Sequence, residues 1–416
     1  MGPPACTSIR RWSLAAVVAC AGVLAALAGA ASSPVDAAQA TNARADQRPR
    51  TQYPVFILDR GRYTAFEAPE PAVQLFPYGI NDRGQVAGEY VRAGSESARA
   101  DTSRDTSVGF LLDRGRYQVI DLPGADVKGA VGISVLTGIN NRGRIVGKAV
   151  DTDSVGFYGF VGDRDGRFRR IDYPGAQTTY ANKINDRGWI AGEANTMSPV
   201  PGTAGSVGYL LRRGRFTTIR VPGAVLTEAE GMNNRGVVVG GYLDRDGNGH
   251  GYRWEKGRFT TIDPPDTRVE PLFGAAVVGV LDINDPGDMV GFYTPGNGTF
   301  RGFLFRKGRY TTFAVPGSLA TAPFDINNRG QIAGAAFDET TGRGFLLAKG
   351  VGGPVTQFDV PGAPNTAATG LDDRGRIVGF VDLRPSAAPA AQRSRAAAMP
   401  PLEALPLGAK DGKESR

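Results

Sequence analysis

Gly79-Ile80-Asn81-Asp82-Arg83-Gly84-Gln85-Val86-Ala87-Gly88 spells a β-hairpin in ten residues. Asn81 starts the turn through its side-chain oxygen, and Gly84 takes the left-handed backbone position that a Cβ would penalise. Ile80 and Val86 flank the turn with β-branched side chains, which suit a half-buried pleated strand. The same phrase returns from Gly138, Lys183, Gly231, Asp282, Asp325 and Gly370, each with its turn glycine: Gly84, Gly143, Gly188, Gly236, Gly287, Gly330 and Gly375. A repeat period in the forties of residues points to propeller blades or solenoid coils before other architectures.

A second phrase alternates with the first, starting at Val55, Gly109, Gly159, Gly208, Gly251, Gly302 and Gly344. In each copy two short apolar strands flank a glycine-containing turn, again a hairpin. Two hairpins per period make four antiparallel strands, and four-stranded sheets repeated radially are propeller blades. No stretch of the repeats has a 3.6-residue period, which disfavours helical solenoids, and a β-solenoid would need parallel strands and shorter periods. The expected fold is all-β, a seven-bladed β-propeller of four-stranded antiparallel blades over residues 53–383. The lone opening hairpin at Val55 to Phe66 is expected to complete the last blade, so that pairing of the N- and C-terminal hairpins closes the ring without free edges.

The alternation of xINxxGxxxG with GFLxxxGxxxxI resembles the bacterial HAF repeat of exported proteins. The resemblance spans Val55 to Val381 and is specific in the turn phrase, while Gly-Phe or Gly-Tyr replaces the eponymous His-Ala-Phe. It implies export and a propeller-like fold, and it transfers no catalytic residue.

The ends read differently. Arg10 and Arg11, the apolar run Trp12 to Ala28 and the small residues that follow predict a signal peptide over 1–37, cleaved after Ala30 or Ala37. The apolar run is short for a membrane span, so no transmembrane anchor is expected in the mature chain. The arginine pair leaves twin-arginine export open, and Cys20 leaves lipidation open. Residues 38–52 and the Ala- and Pro-rich tail 384–416 lack periodicity and read as disordered. Both cysteines, Cys6 and Cys20, lie in the leader, so ordinary cleavage leaves no thiol for a disulfide, a thiolate metal site or a nucleophile. Arg10, Arg11 and Asp36 leave with the leader, which turns the formal charge of +7 into +6.

Few residues carry chemistry. His250 is the only histidine, which excludes His-based metal clusters and makes it the sole route to a Ser-His-Asp triad. Asp244, Asp246 and Asn248, with Gly249 and Glu255 behind them, have the spacing of a calcium loop, but the loop joins strands rather than helices. Calcium is therefore the one cofactor considered, and none is required. Phe76, Tyr78, Tyr180, Phe273 and Phe324 precede inner strands and are candidates, with His250, to line a channel mouth; the bland alternative is that they plug the core. The hairpin turns share one face and gather arginines there, interleaved with aspartates that can pair with them. Longer segments, such as Tyr90 to Ser107 and Leu243 to Gly249, emerge on the other face, where variable loops on a rigid frame carry specificity.

The expected function is a secreted, monomeric, non-catalytic module that presents this loop face to a cell-surface glycan or protein. Nucleic acid is not expected as a partner, since no binding motif accompanies the mild basic charge. The alternative is a glycoside hydrolase or polysaccharide lyase with carboxylates near the central channel. Two or more inward acidic side chains would favour that alternative, and a small-residue-lined or plugged channel would favour the binder.

Overall fold

The computed structural model describes residues 54–382 apart from 70–71, 93–106, 121, 123–133, 152–155, 198–203, 271–273, 339–340, 362 and 364. The leader, the linker and the tail lie outside the described residues, as do Phe273 and most of the loop after Tyr90. Among the described residues there is no helix, and the chain forms three separate four-stranded antiparallel sheets, with the remaining strands in an eight- and a nine-stranded sheet where the single parallel pairs Gly342–Asn365 and Ser206–Leu226 join neighbouring antiparallel units. No described helix is thus long and apolar enough to cross a membrane.

The first sheet shows the pattern. Strands Ala72–Ile80, Val86–Arg92, Ser107–Asp113 and Arg116–Ile120 pair in sequence order. Val86 faces Leu112, beside the Arg114–Gly115 turn, so both hairpin turns leave the sheet at one end. The same order recurs over 134–171, 178–219, 226–262, 278–313 and 320–358. The remaining inner hairpin, Asn365–Leu371 with Ile377–Asp382, takes its outer strands from the start of the chain: Val55 to Leu58 pair antiparallel with Phe380 to Ile377.

Packing follows the same logic. A second-strand glycine lies under an aromatic ring of the third strand in most sheets: Gly88 under Phe110, Gly147 under Phe160, Gly192 under Tyr209, Gly291 under Phe303, Gly334 under Phe345. Phe56 covers Gly379 in the same way, although 323 residues separate them in sequence. The cores lie between consecutive sheets. Val146, Val161 and Ile171 meet Ala181, Ile190 and Tyr209, for example, and Val55 and Val378 meet Leu75, Val86 and Phe110.

The turns are bonded to one another. Asn185 shows how: its Oδ1 accepts the amides of Arg187 (3.1 Å) and Trp189 (3.0 Å), and its Nδ2 donates to the next turn's Asn233 carbonyl at 3.1 Å. Such links run Asn81 to Asn140, to Asn185, to Asn233, to Asn284, to Asn327, to Asp372. Asp372 has no amide to donate, and Arg376 instead reaches the Asn81 carbonyl at 3.4 Å.

A second circle uses the following residue, which alternates as Asp82, Asn141, Asp186, Asn234, Asp285, Asn328 and Asp373. Each backbone amide donates to the next side chain, and Asp373 donates back to Asp82 at 2.9 Å. Asn141 and Asn234 each bridge two aspartates with one amide group. Seven is odd, so two aspartates must adjoin, and they do at Asp373 and Asp82. Burial pushes the Asp82 carboxyl up and Asp373 adds to the rise, opposed by the amide bond it accepts.

Candidate functional site: where the inner strands converge

Inner-strand residues from every copy of the turn line one 160 Å3 cavity, among them Asn81, Asn140, Asn185, Asn233, Asn284, Asn327 and Asp372. Away from this turn end, six of the inner strands carry an irregularity three residues before the turn residue. The register shifts at Tyr78, Thr137, Asn182, Leu281, Phe324 and Thr369. A bulge re-aims its side chain, here toward the neighbouring inner strand. Thr137 donates to Ala181 O, Asn182 to Ala229 O at 3.0 Å, and Thr369 to Pro77 O at 2.7 Å.

Two unlike clusters of side chains are built from these strands and their neighbours. One is charged. Lys183 Nζ stands 3.6 Å from Asp282 Oδ1, and Asp282 raises the lysine pKa against the effect of burial. Asp282 Oδ2 accepts Ile326 N–H at 3.3 Å, and Asp325 Oδ2 accepts Leu371 N–H at 2.9 Å. Burial, reinforced by Asp282, pushes the Asp325 carboxyl well up. Burial also pushes Glu193 up to about 8, helped by Glu230 and opposed by Lys148. Glu228 is raised by burial and then by Glu193 and Glu230; Glu230 is raised by burial against Lys183 and Lys148. Glu193 Oε2 and Glu228 Oε1 have no hydrogen-bond partner among the described residues. Side chains from five sheets act on one another here, as they can only where the inner strands meet.

The other cluster is apolar. Leu281, Phe292 and Ala322 pack with Phe300 and Phe324, and Ala335, Phe337 and Ala367 continue the surface to Phe380. Phe76 meets Phe380 edge-on with ring centroids 5.2 Å apart.

The expected channel residues divide between the clusters. Phe76 and Phe324 belong to the apolar side, each partly buried. Tyr78 donates to Glu89 at 2.6 Å, and burial, with Glu89 behind it, raises its phenol pKa. Tyr180 lies under Lys148 Nζ, 4.6 Å from the ring centroid, and burial with Glu193 lifts its phenol to about 12. Phe273 lies outside the described residues.

Sequence reading missed Glu89, Lys148, Lys183, Glu193, Glu228, Glu230 and Asp325. A signal was present: Glu89, Lys148 and Glu193 follow the second-strand glycine, where other copies place Phe292, Ala335 and Phe380. A charge in a strand position that is otherwise apolar needs a tertiary reason.

His250 lies apart from the convergence. Its Nδ1 bonds Asp263 Oδ2 at 2.6 Å, its Nε2 bonds Asp244 Oδ2 at 3.2 Å, and its ring stacks on Tyr242 with centroids 4.9 Å apart. Asp244 Oδ1 accepts the amides of Asp246 (2.9 Å) and Asn248 (2.8 Å), and Asn248 Oδ1 accepts Ala276 N–H at 3.1 Å. Both Asp244 oxygens and the Asn248 oxygen therefore hold the loop itself, which is the ordinary role of Asx residues in a turn. A calcium ion would compete with these bonds.

The Asp263 bond, with Asp244 in support, raises the His250 pKa against partial burial. A raised folded pKa contributes stability below the unfolded value, and that contribution is lost as pH rises through the folded one. His250→Gln is therefore expected to destabilise the protein more at pH 6 than at pH 9. Calorimetric unfolding of both chains at the two pH values checks this, and an equal loss at both would refute it.

No family model matches this chain, and no curated protein matches it. Among solved structures it is similar to the Pyrococcus horikoshii acylaminoacyl peptidase, at TM-score 0.49 and 10% identity over 75% of this chain and 50% of that one. It is also similar to the β-propeller domain of the Trilobed protease from Pyrococcus furiosus, at TM-score 0.48 and 10% identity over 76% and 99% of the two chains. The putative TolB from Agrobacterium tumefaciens matches at TM-score 0.41 and 12% identity, over 79% and 98%. The chain spans about half the length of the acylaminoacyl peptidases it matches.

Proposed function

We propose that this chain is an exported, HAF-type, seven-bladed β-propeller, closed by its first and last hairpins, that binds a cell-surface glycan without transforming it. Closure is supported by the pairing of Val55–Leu58 with the last hairpin, the seating of Phe56 on Gly379, and the bonds from Thr369 to Pro77 and Asp373 to Asp82. Export is supported by the leader pattern from Arg10 to Ala37.

The observation that carries the binding role is the pair of unlike clusters. Partly buried rings at Phe76, Phe300, Phe324 and Phe380 form one cluster, and carboxylates, lysines and amides form another. A sugar offers the matching chemistry: apolar C–H faces that lie on aromatic rings, and hydroxyls that hydrogen-bond.

The acidic cluster gives the hydrolase or lyase reading a specific observation of its own. Glu193, held protonated to about pH 8 beside Glu228 and Glu230, has the properties of a general acid. Glu193 is 8% and Glu228 4% exposed, so little of either carboxylate is open to a ligand, whether that ligand is bound or transformed.

A glycan array probed with the exported chain, with and without calcium, tests both readings. Saturable binding is expected, independent of calcium and weakened at least tenfold in Phe76→Ala/Phe324→Ala. Absence of any bound sugar would overturn the glycan reading in favour of a protein partner. Sugar release that disappears in Glu193→Gln would establish the enzyme instead.

A further inference from the structure

The turn face carries a second feature, independent of the channel. Between the sheets over 134–171 and 178–219 lies a cleft of about 490 Å3 lined by Arg142, Arg144, Arg169, Arg187 and Arg213 around Trp189, with no acidic residue in its lining. All five arginines are exposed, and none makes an ion pair among the described residues. The Arg187 and Arg212 guanidiniums stand over the Trp189 ring, 5.4 and 4.9 Å from its centroid.

The repeat supplies its own control. At three other turns the corresponding polar or charged residue is bonded from within. Arg376 pairs with Asp372 at 2.6 Å, Gln85 bonds Asp113 at 3.0 Å, and Asp288 pairs with Arg306 at 2.7 Å in the cleft between the sheets over 226–262 and 278–313. Here the position is Arg144. The carboxylate opposite it in register, Asp163, is already held by Arg167 at 3.2 Å and by two backbone amides. Five guanidiniums thus converge on one concavity with their counter-charge left to come from outside.

We propose that this cleft binds a compact polyanion, a sugar unit carrying two or more sulfate, phosphate or carboxylate groups. Guanidinium forks match such oxyanions two bonds at a time, and their clustering in a concave site raises the local concentration of anions. The volume fits a ligand of one or two sugar rings. With arginines over the indole, Trp189 is not free to stack on a nucleobase, which favours an anionic sugar over a nucleotide.

The test is titration calorimetry of the exported chain with three probes: a trisulfated heparin disaccharide, inositol hexakisphosphate and digalacturonate. Binding of at least one probe at one site per chain is expected, and the probe that binds tells sulfate, phosphate and carboxylate sources apart. Arg144→Glu/Arg187→Glu should weaken it at least tenfold. Arg258→Glu/Arg309→Glu makes the same charge change on exposed arginines of the same face and should weaken it less than threefold. Failure of all three probes to bind would overturn the proposal. So would equal losses in both double variants, which would mean attraction by the whole rim. Circular dichroism checks that each variant keeps its sheet content.

Discussion

Gly147→Ala should prevent the chain from folding stably, whereas Gly79→Ala should be tolerated at a cost below about 1 kcal/mol. At Gly147 an added Cβ falls inside contact distance of the Val135 carbonyl oxygen and lies 2.7 Å from Phe160 Cζ. Neither neighbour can withdraw. The carbonyl belongs to the paired inner strand, and the Phe160 ring is only 1% exposed in the core shared with the preceding sheet. Overpacking that requires backbone movement costs several kcal/mol, here about 4 or more. At Gly79 the nearest atom to an added Cβ is Ile139 Cγ2 at 4.0 Å, an ordinary contact. Urea unfolding of the two variants checks this pair, and similar midpoints would show that the glycine–ring contact does not hold the sheets together.

Phe56→Ala should cost about 3–5 kcal/mol, as much as Phe110→Ala or Phe160→Ala. Phe56 is fully buried, edge-on to Tyr63 and Phe358, and sits over Gly379 as Phe160 sits over Gly147. In a closed ring the missing ring side chain opens the joint between first and last hairpins, and the whole chain should unfold in one weakened transition. If the opening hairpin were an appendage, Phe56→Ala would leave the main transition in place and add a small early one. Chemical denaturation followed by tryptophan emission and by circular dichroism separates the two outcomes, because the described tryptophans, Trp189 and Trp254, lie far along the chain from that joint.

The first prediction concerns contacts inside one sheet and the second a contact between residues at opposite ends of the chain, and the same division marks what could be read in the sequence. The hairpins were legible because their requirements are local. Asn81 caps its own turn, and Gly84 has a φ of +82°, as the reading of the phrase required. Each later copy repeats that chemistry, down to Gly375 at φ +86°. Ile80, Val86 and their counterparts announced strands for the same reason: propensity acts within a few residues.

The site was only half legible. Phe76, Tyr78, Tyr180 and Phe324 stood out as aromatics before inner strands, and each reaches the convergence, but nothing local divided them between two clusters. That division depends on where Glu193, Glu230, Lys183, Asp282 and Asp325 come to lie once five sheets meet. The acidic, calcium-like spacing at Asp244 likewise has partners that the sequence does not show. Its oxygens are taken by His250 and by loop amides, and a spacing rule cannot see those partners.

By itself, then, the order of residues determined the strands, the turns and their sevenfold recurrence, since backbone conformation is decided by near neighbours and by the presence or absence of a Cβ. Only the tertiary structure decided that Phe56 would meet Gly379, that charged and apolar side chains would gather into separate clusters, and that five arginines would share a cleft with no carboxylate to answer them. Those outcomes rest on distances between residues far apart in the chain, and electrostatic and packing energies depend on those distances rather than on sequence separation.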